Sequence, residues 1–336
     1  MASTRSQTKA NLPKLRGNRS SSYSKRRGTK WVAKKAHKSI EQKWSKKTTT
    51  IEVNGDSILG FVRVKTDSNA VKHILETEFP DVNTATLPRA PETGKLQYVL
   101  KETEATPEGL PPNLVMRFDN VIKPRINDLV VKAWDEVLNA GLTFPKADPN
   151  RSATPALHLG AWSINQSKPI ITAHSRAPAQ SKEAEIAIDK FLKIINKYVA
   201  PMVTTFFKNE FPVQYGRQQR AHEHVSHKLR EEFTKRPELD FGGAFFTVAV
   251  KEGSSERIHI DFNDDIKNVA FVVPFGDFTG ADLCLPQLNT RVPISAGQVV
   301  AFDAKLLAHC SSPIISGRRI ILTLFTDYVT LKRYGQ

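Results

Sequence analysis

"FFTVAVKEGSSERIHIDFNDDIKNVAFVVPFG", residues 245–276, alternates apolar and polar side chains on both sides of a Gly-Ser bend. A period of two marks strands, whose successive side chains point to opposite faces. The pattern sets in after Pro237. Turn residues divide it into strands expected near 243–251, 257–262, 267–274, 281–286, 291–295, 298–303, 306–310 and 318–328. Eight short strands within residues 241–330 predict a double-sheet antiparallel core of the jelly-roll, or double-stranded β-helix, type.

Within that core Arg257, His259 and Asp261 are expected on one face, with Ile258, Ile260 and Phe262 on the other. An H-x-D triplet alone is a weak motif and reads as readily as a solvated polar face. The β segment holds one further histidine, His309, fifty residues on. A jelly roll can aim side chains from two strands at one mouth. Two imidazoles and a carboxylate on one side of a metal leave its other positions open, the facial triad of non-haem Fe(II) oxygenases. Ten residues past His309, "GRRIILTLF" (317–325) opens the last strand with Arg318 and Arg319. A guanidinium fork suits a carboxylate, and 2-oxoglutarate oxygenases place a basic residue of this kind on the final strand. Alternation groups Arg319 with Ile321 and Thr323 and turns Arg318 the other way. Surface charges at a strand end are the plainer alternative. Taken together, the residues point to an Fe(II)/2-oxoglutarate site with His259, Asp261 and His309 as catalytic metal ligands and Arg319 on the co-substrate.

Charge is distributed unevenly. Residues 1–50 hold 15 Lys/Arg against Glu41 alone, and the other 286 residues hold 34 basic and 33 acidic side chains. A Ser-, Lys- and Arg-rich stretch with little apolar area is expected to be a disordered arm, suited to a polyanion. "KRR" at 25–27 and "KK" at 34–35 suit nuclear import or phosphate binding, and Trp31 and Trp44 could stack on bases. A tail that only aids solubility is the alternative. Forty per cent hydrophobic residues is globular composition. No apolar run approaches a membrane span of about eighteen residues, and no secretory signal is visible. Cys284 and Cys310 make no disulfide framework, as expected of an intracellular chain.

Between arm and core the reading is α/β. Strands are expected at "ILGFVRVK" (58–65), "LQYVL" (96–100) and "ALHLGAWSIN" (156–165), in an otherwise irregular 80–118. Helices are expected over 69–79, from Pro124 to Gly141, from Ser181 to Asn209 with a kink at Pro201, and over 213–233. The last carries His222, His224 and His227, which lack a completing ligand set and read as solvated. The expected organisation is a basic arm (1–50), an α/β extension (51–150) and a catalytic domain (151–336), an α+β fold whose helices support one sheet.

The 245–276 stretch and "GQVVAFDAKLLAHCSSPIISGRRIILTLF" (297–325) resemble the fungal branch of the TET/JBP nucleic-acid-base dioxygenases. The resemblance spans roughly 150–330 and is strongest over 243–328. It implies Fe(II) on His259, Asp261 and His309, 2-oxoglutarate on Arg319, O2 as oxidant, and methylated DNA as substrate. The base would be flipped from a duplex, with the arm on its phosphates. Three residues beyond the Asp ligand, where TET enzymes carry an Asn that touches the base, this chain has Asp264. A carboxylate there accepts from cytosine N4 or adenine N6 and disfavours thymine, so 5-methylcytosine and N6-methyladenine both fit. Asn263 is a second candidate for that contact. The rival expectations are a hydroxylase of a protein or small molecule, and a non-catalytic DNA- or chromatin-binding protein.

Overall fold

The period-two segments close into two facing sheets. The computed structural model describes residues 48–55, 58, 68–80, 86–104, 106–164, 166–176 and 179–336. The strands are β1 (Thr48–Asn54), β2 (Lys95–Lys101), β3 (Asn113–Phe118), β4 (Ala156–Trp162), β5 (Ile170–Ile171), β6 (Thr247–Glu252), β7 (Ala270–Gly280), β8 (Leu283–Leu285), β9 (Thr290–Val292), β10 (Val299–Phe302), β11 (Cys310–Ser311) and β12 (Ile314–Phe325). The main sheet runs β1-β2-β3-β10-β7-β12-β6-β4-β5, and the small sheet facing it runs β11-β8-β9. Only the β1–β2 pair is parallel. Tyr98, Leu283, Leu285, Val292, Val300, Phe302 and Ile321 fill the space between the sheets. The fold is thus α+β with a double-stranded β-helix core.

Seven helices are described: α1 (Ser68–Glu78), α2 (Pro124–Asn139), α3 (Lys182–Tyr198), α4 (Ala200–Glu210), α5 (Pro212–Lys228), α6 (Arg230–Lys235) and α7 (Tyr328–Tyr334). In α2, Pro124 occupies the first turn, and Val130, Ala133, Trp134 and Val137 form the buried stripe. Ser181 caps α3 by accepting from the Ala184 amide at 3.1 Å. Aromatic pairs join these helices to each other and to the sheet: Trp134–Phe191 at 5.6 Å, Phe118–Phe206 stacked at 4.3 Å and Phe207–Phe271 at 5.3 Å. No described helix is long and apolar enough to cross a membrane.

Several expectations need correction. The helix expected over 181–209 breaks at Val199 instead of kinking. Pro201 lies in the first turn of α4, where its missing N–H is no loss. The 213–233 helix breaks at Leu229 in the same way. Residues 257–262 make no ladder strand; an isolated bridge at His259↔His309 is their one β pairing. Thr48–Thr50, assigned to the arm, belong to β1, and β3 falls where the chain was expected to be irregular. The three strands β1–β3 of the 51–150 segment and its flank continue the main sheet beside β10. Residues 1–47 of the arm, and residues 59–65 of the first expected strand, lie outside the described residues.

One glycine is dictated by how closely two strands approach. Gly276 on β7 stands opposite Arg319 on β12 with φ +108°, and a Cβ there would lie 2.1 Å from the Arg318 carbonyl oxygen. Gly276→Ala should cost more than about 2 kcal/mol. The drop is read as a lower urea midpoint, and an unchanged midpoint would mean that β7 and β12 part freely.

Candidate metal centre and its cavity

Two segments fifty residues apart meet at one pair of backbone bonds. The His259 amide donates to the His309 carbonyl at 3.0 Å and the His309 amide returns the bond at 2.8 Å. The Asp261 amide donates to Ala304 at 2.8 Å. Although the segment forms no ladder, its alternation persists. Ile260 is buried, and Ile258 and Phe262 pack with it against Val71 and Leu75 of α1 and against Ala308. His259 and Asp261 therefore face the cavity together. Arg257, expected beside them, is exposed and bonds the Pro149 carbonyl.

The histidines are held alike. Each Nδ1 lies 2.8 Å from the carbonyl two residues earlier, Arg257 for His259 and Leu307 for His309. A carbonyl only accepts, so each Nδ1 carries the proton and each Nε2 keeps a free lone pair. His259 Nε2 lies 4.0 Å from Asp261 Oδ1, and His309 Nε2 lies 3.9 Å from Asp261 Oδ2. One donor atom from each residue falls within 4.8 Å of the others, and no second group of three or more such residues occurs among the described residues. Burial drives the His259 imidazole well below its usual range, helped by His309 and Arg151, and burial also lowers His309. Burial alone would raise Asp261, but Arg151 and the two imidazoles outweigh it and hold the carboxyl at about 2. Two neutral imidazoles and one carboxylate result, the donor set that suits Fe(II) with positions left open.

Arg151 is the part of this centre that sequence reading missed. Its Nη1 donates to Asp261 Oδ1 at 2.6 Å from the loop before β4. No periodicity or motif connects positions 110 residues apart, so no signal could have found it. The bond fixes the carboxylate's orientation and leaves Oδ2 toward His309.

The centre opens onto a cavity of about 490 Å³, within the range of about 300–1,000 Å³ usual for small-molecule sites. Arg319, Ile321, Thr323 and Phe325 line one wall from alternate positions of β12. Across from Ile321 and Thr323, Lys251 and Ala249 extend that wall from β6. Arg319 is 3% exposed. Its Nη1 donates to the Gly253 carbonyl at 3.3 Å, its Nε has no partner, and its guanidinium sits 5.6 Å from the Phe278 ring centroid. Burial pushes it down to about 10, which leaves it charged at neutral pH. Arg318 lies on the other face, bonded to Glu252 at 2.7 and 3.0 Å and to Asp135 at 2.6 Å.

On the same sheet β4 continues the lining: His158 stands opposite Ala249, its ring 6.1 Å from that of Phe325, with Trp162 and His174 beside it, and Asn263 and Asp264 line the cavity from the H-x-D segment. Asn263 is exposed, and its carbonyl accepts from Tyr328 at 2.7 Å. Asp264 forms a bridge with Asp327. Burial, with Asp261 adding to it, pushes the Asp264 carboxyl well up. A bound dication opposes that shift. The neighbouring Asp265 is structural, accepting from Arg217 at 2.7 Å. His158 stands 5.4 Å from Trp162 and 5.8 Å from His174, ring to ring. Burial and His174 push it down to about 4, so this wall is aromatic and uncharged. Of the α5 histidines, expected to be solvated, His222 pairs with Asp240 at 2.7 Å and His224 stacks on Tyr334 at 4.1 Å.

No family model matches the chain, and no curated protein does. Solved structures similar to it include NgTET1 in complex with 5mC DNA, at 13% identity and TM-score 0.48, covering 79% of this chain and 92% of that one. Another is the viral collagen prolyl hydroxylase vCPH from Paramecium Bursaria Chlorella virus-1 in its 2OG complex, at 15% and 0.31, covering 63% and 94%. OsALKBH1 follows at 14% and 0.36, covering 63% and 96%. All three scores lie below 0.5, and the chemistry is carried by the site's own residues.

Arg151→Gln should weaken divalent-metal binding about 10- to 100-fold, the usual cost of losing a partner that orients a ligand. Calorimetric titration with Mn(II) reads the effect, and affinity equal to wild type would show that Asp261 orients itself.

Proposed function

We propose that the chain is an Fe(II)/2-oxoglutarate-dependent dioxygenase that oxidises the methyl group of a flipped methylated base in DNA. The observation that carries this reading is the convergence of His259, Asp261 and His309 in one cavity with a buried Arg319 that bonds no carboxylate. When bound, Fe(II) supplies O2 chemistry that couples decarboxylation of 2-oxoglutarate to succinate and CO2 with hydroxylation of a nearby C–H. His259, Asp261 and His309 would hold the ion and leave its remaining positions free, while Arg319 clasps the distal carboxylate. The aromatic side chains of His158, Trp162 and His174 would pack against a planar ring, and Asp264, which also lines the cavity, would bond the ring's polar edge.

A base inside a duplex cannot enter this cavity. It must leave the stack at a cost of a few kcal/mol, which phosphate contacts from the 15 basic residues of 1–47 can offset. On carbon, the alcohol formed from the methyl persists. On nitrogen, a hydroxymethyl adduct releases formaldehyde and completes demethylation. Asp264 suits 5-methylcytosine or N6-methyladenine. The KRR run at 25–27 suits nuclear import, the setting this reading proposes.

Mass spectrometry of nucleosides tests this reading, after incubation of the full chain with duplexes carrying each methylated base. Loss of one methylated base with stoichiometric succinate is expected, and His259→Ala should abolish it while sparing DNA affinity. Equal, low succinate release on methylated and unmodified duplex would transfer the reading to a protein or small-molecule hydroxylase. Deleting residues 1–47, which spares β1, should weaken DNA binding and flatten its salt dependence. An unchanged slope would assign the arm another role.

A further inference from the structure

The cavity floor holds two cations where the dioxygenase reading requires one. Lys251 is 6% exposed and Arg319 3%. Lys251 stands opposite Ile321, two residues from Arg319 on the same face of β12, so the two are diagonal cross-strand neighbours within reach of one small ligand. The Lys251 Nζ meets only a hydroxyl, Ser255 Oγ at 3.1 Å. Ser255 is fixed in turn, since its carbonyl accepts from Ser311 at 2.7 Å.

Neither cation has a carboxylate bonded to it among the described residues. Glu256 acts on Lys251 only through space, and its Oε1 accepts from Ser254 Oγ at 2.8 Å. Asp282 acts on Arg319 only through space, and Arg89 holds it at 2.8 and 3.2 Å. Two like charges buried side by side without an anion are costly. Burial and then Arg319 push the Lys251 ammonium down to about 8, in the direction this cost requires. An anion seated between them removes the penalty, and the cavity leaves room for one.

We infer that Lys251, its Nζ positioned by Ser255, is a second cationic ligand for the distal carboxylate of the co-substrate, acting beside Arg319. The inference rests on the 2-oxoglutarate reading and deepens it. With two cations at the floor, the site selects a 2-oxo acid bearing a second carboxylate over one that ends in an alkyl group.

The test is calorimetric binding of 2-oxoglutarate to the full chain loaded with Mn(II), together with the melting temperature of the ligand-free protein. Lys251→Met should weaken binding about 10- to 100-fold, the range for losing a hydrogen bond to a charged group. Because the substitution removes a like-charge contact, the ligand-free variant should melt no lower than wild type. Lys251→Gln keeps a polar contact to Ser255 without the charge and should lose the same affinity. Unchanged affinity in both variants overturns the inference and leaves the co-substrate reading standing. Weakened affinity with a melting point several degrees lower also overturns it, because Lys251 is then structural. If wild-type protein fails to bind 2-oxoglutarate, the co-substrate reading itself falls.

Discussion

The reciprocal bond between the backbones of His259 and His309 is the contact on which the site depends. These two bonds are the one β pairing of residues 257–262, and with the Asp261–Ala304 and Ser311–Ser255 bonds on either side they set the register between the H-x-D segment and the segment bearing the distal histidine. A shift of one residue would turn both imidazoles out of the cavity. Hydrophobic packing reinforces the register from behind, because Ile260 and Ala308, the residues beside the two ligands, meet in one cluster under α1. The α1 segment thus belongs to the metal centre physically, although it contributes no ligand to it.

Charge in the cavity is unevenly arranged. Asp261 is the one donor that stays anionic, and Arg151 neutralises part of that charge from the loop side. Arg319 and Lys251 leave one end of the β12–β6 wall positive, while the stretch around His158 on the neighbouring β4 is neutral. A ligand with one anionic end and one end able to chelate a cation matches this sequence of charges. A neutral planar ring matches what is left. The cavity is therefore divided between two guests by electrostatics alone, before any shape is considered.

How much of this could be read from the sequence depended on whether the information was periodic. Arg319 and Arg318 were separable because strand alternation sends adjacent residues to opposite faces, and β12 is long enough for the rule to hold. His309 stood out because the β segment contains so few histidines. Lys251 lay in an expected strand, but its face could be assigned only once the register with β12 was known. Arg151 reaches Asp261 from an irregular loop, and His158 reads as one polar position in a short strand. Contacts of this kind are set by tertiary approach and leave no local trace. The strand expected over 257–262 shows the converse failure, since its alternation is genuine but comes from packing between α1 and the cavity, with a single bridge in place of a ladder. In α4, Pro201 looked like a kink because sequence spacing continues smoothly across Val199, while the backbone restarts there.

Burial also separates the two ends of the cavity under the proposed function. The floor residues Lys251 and Arg319 and the ligand His309 are each under 9% exposed, whereas Asn263 at the outer edge is open to solvent. Under that reading the co-substrate is held by the buried cations, and the base stays toward Asp264 and the solvent-exposed Asn263. That division gives the burial of two cations without a bonded carboxylate a purpose: they hold the small dianion while the larger substrate occupies the rest of the cavity.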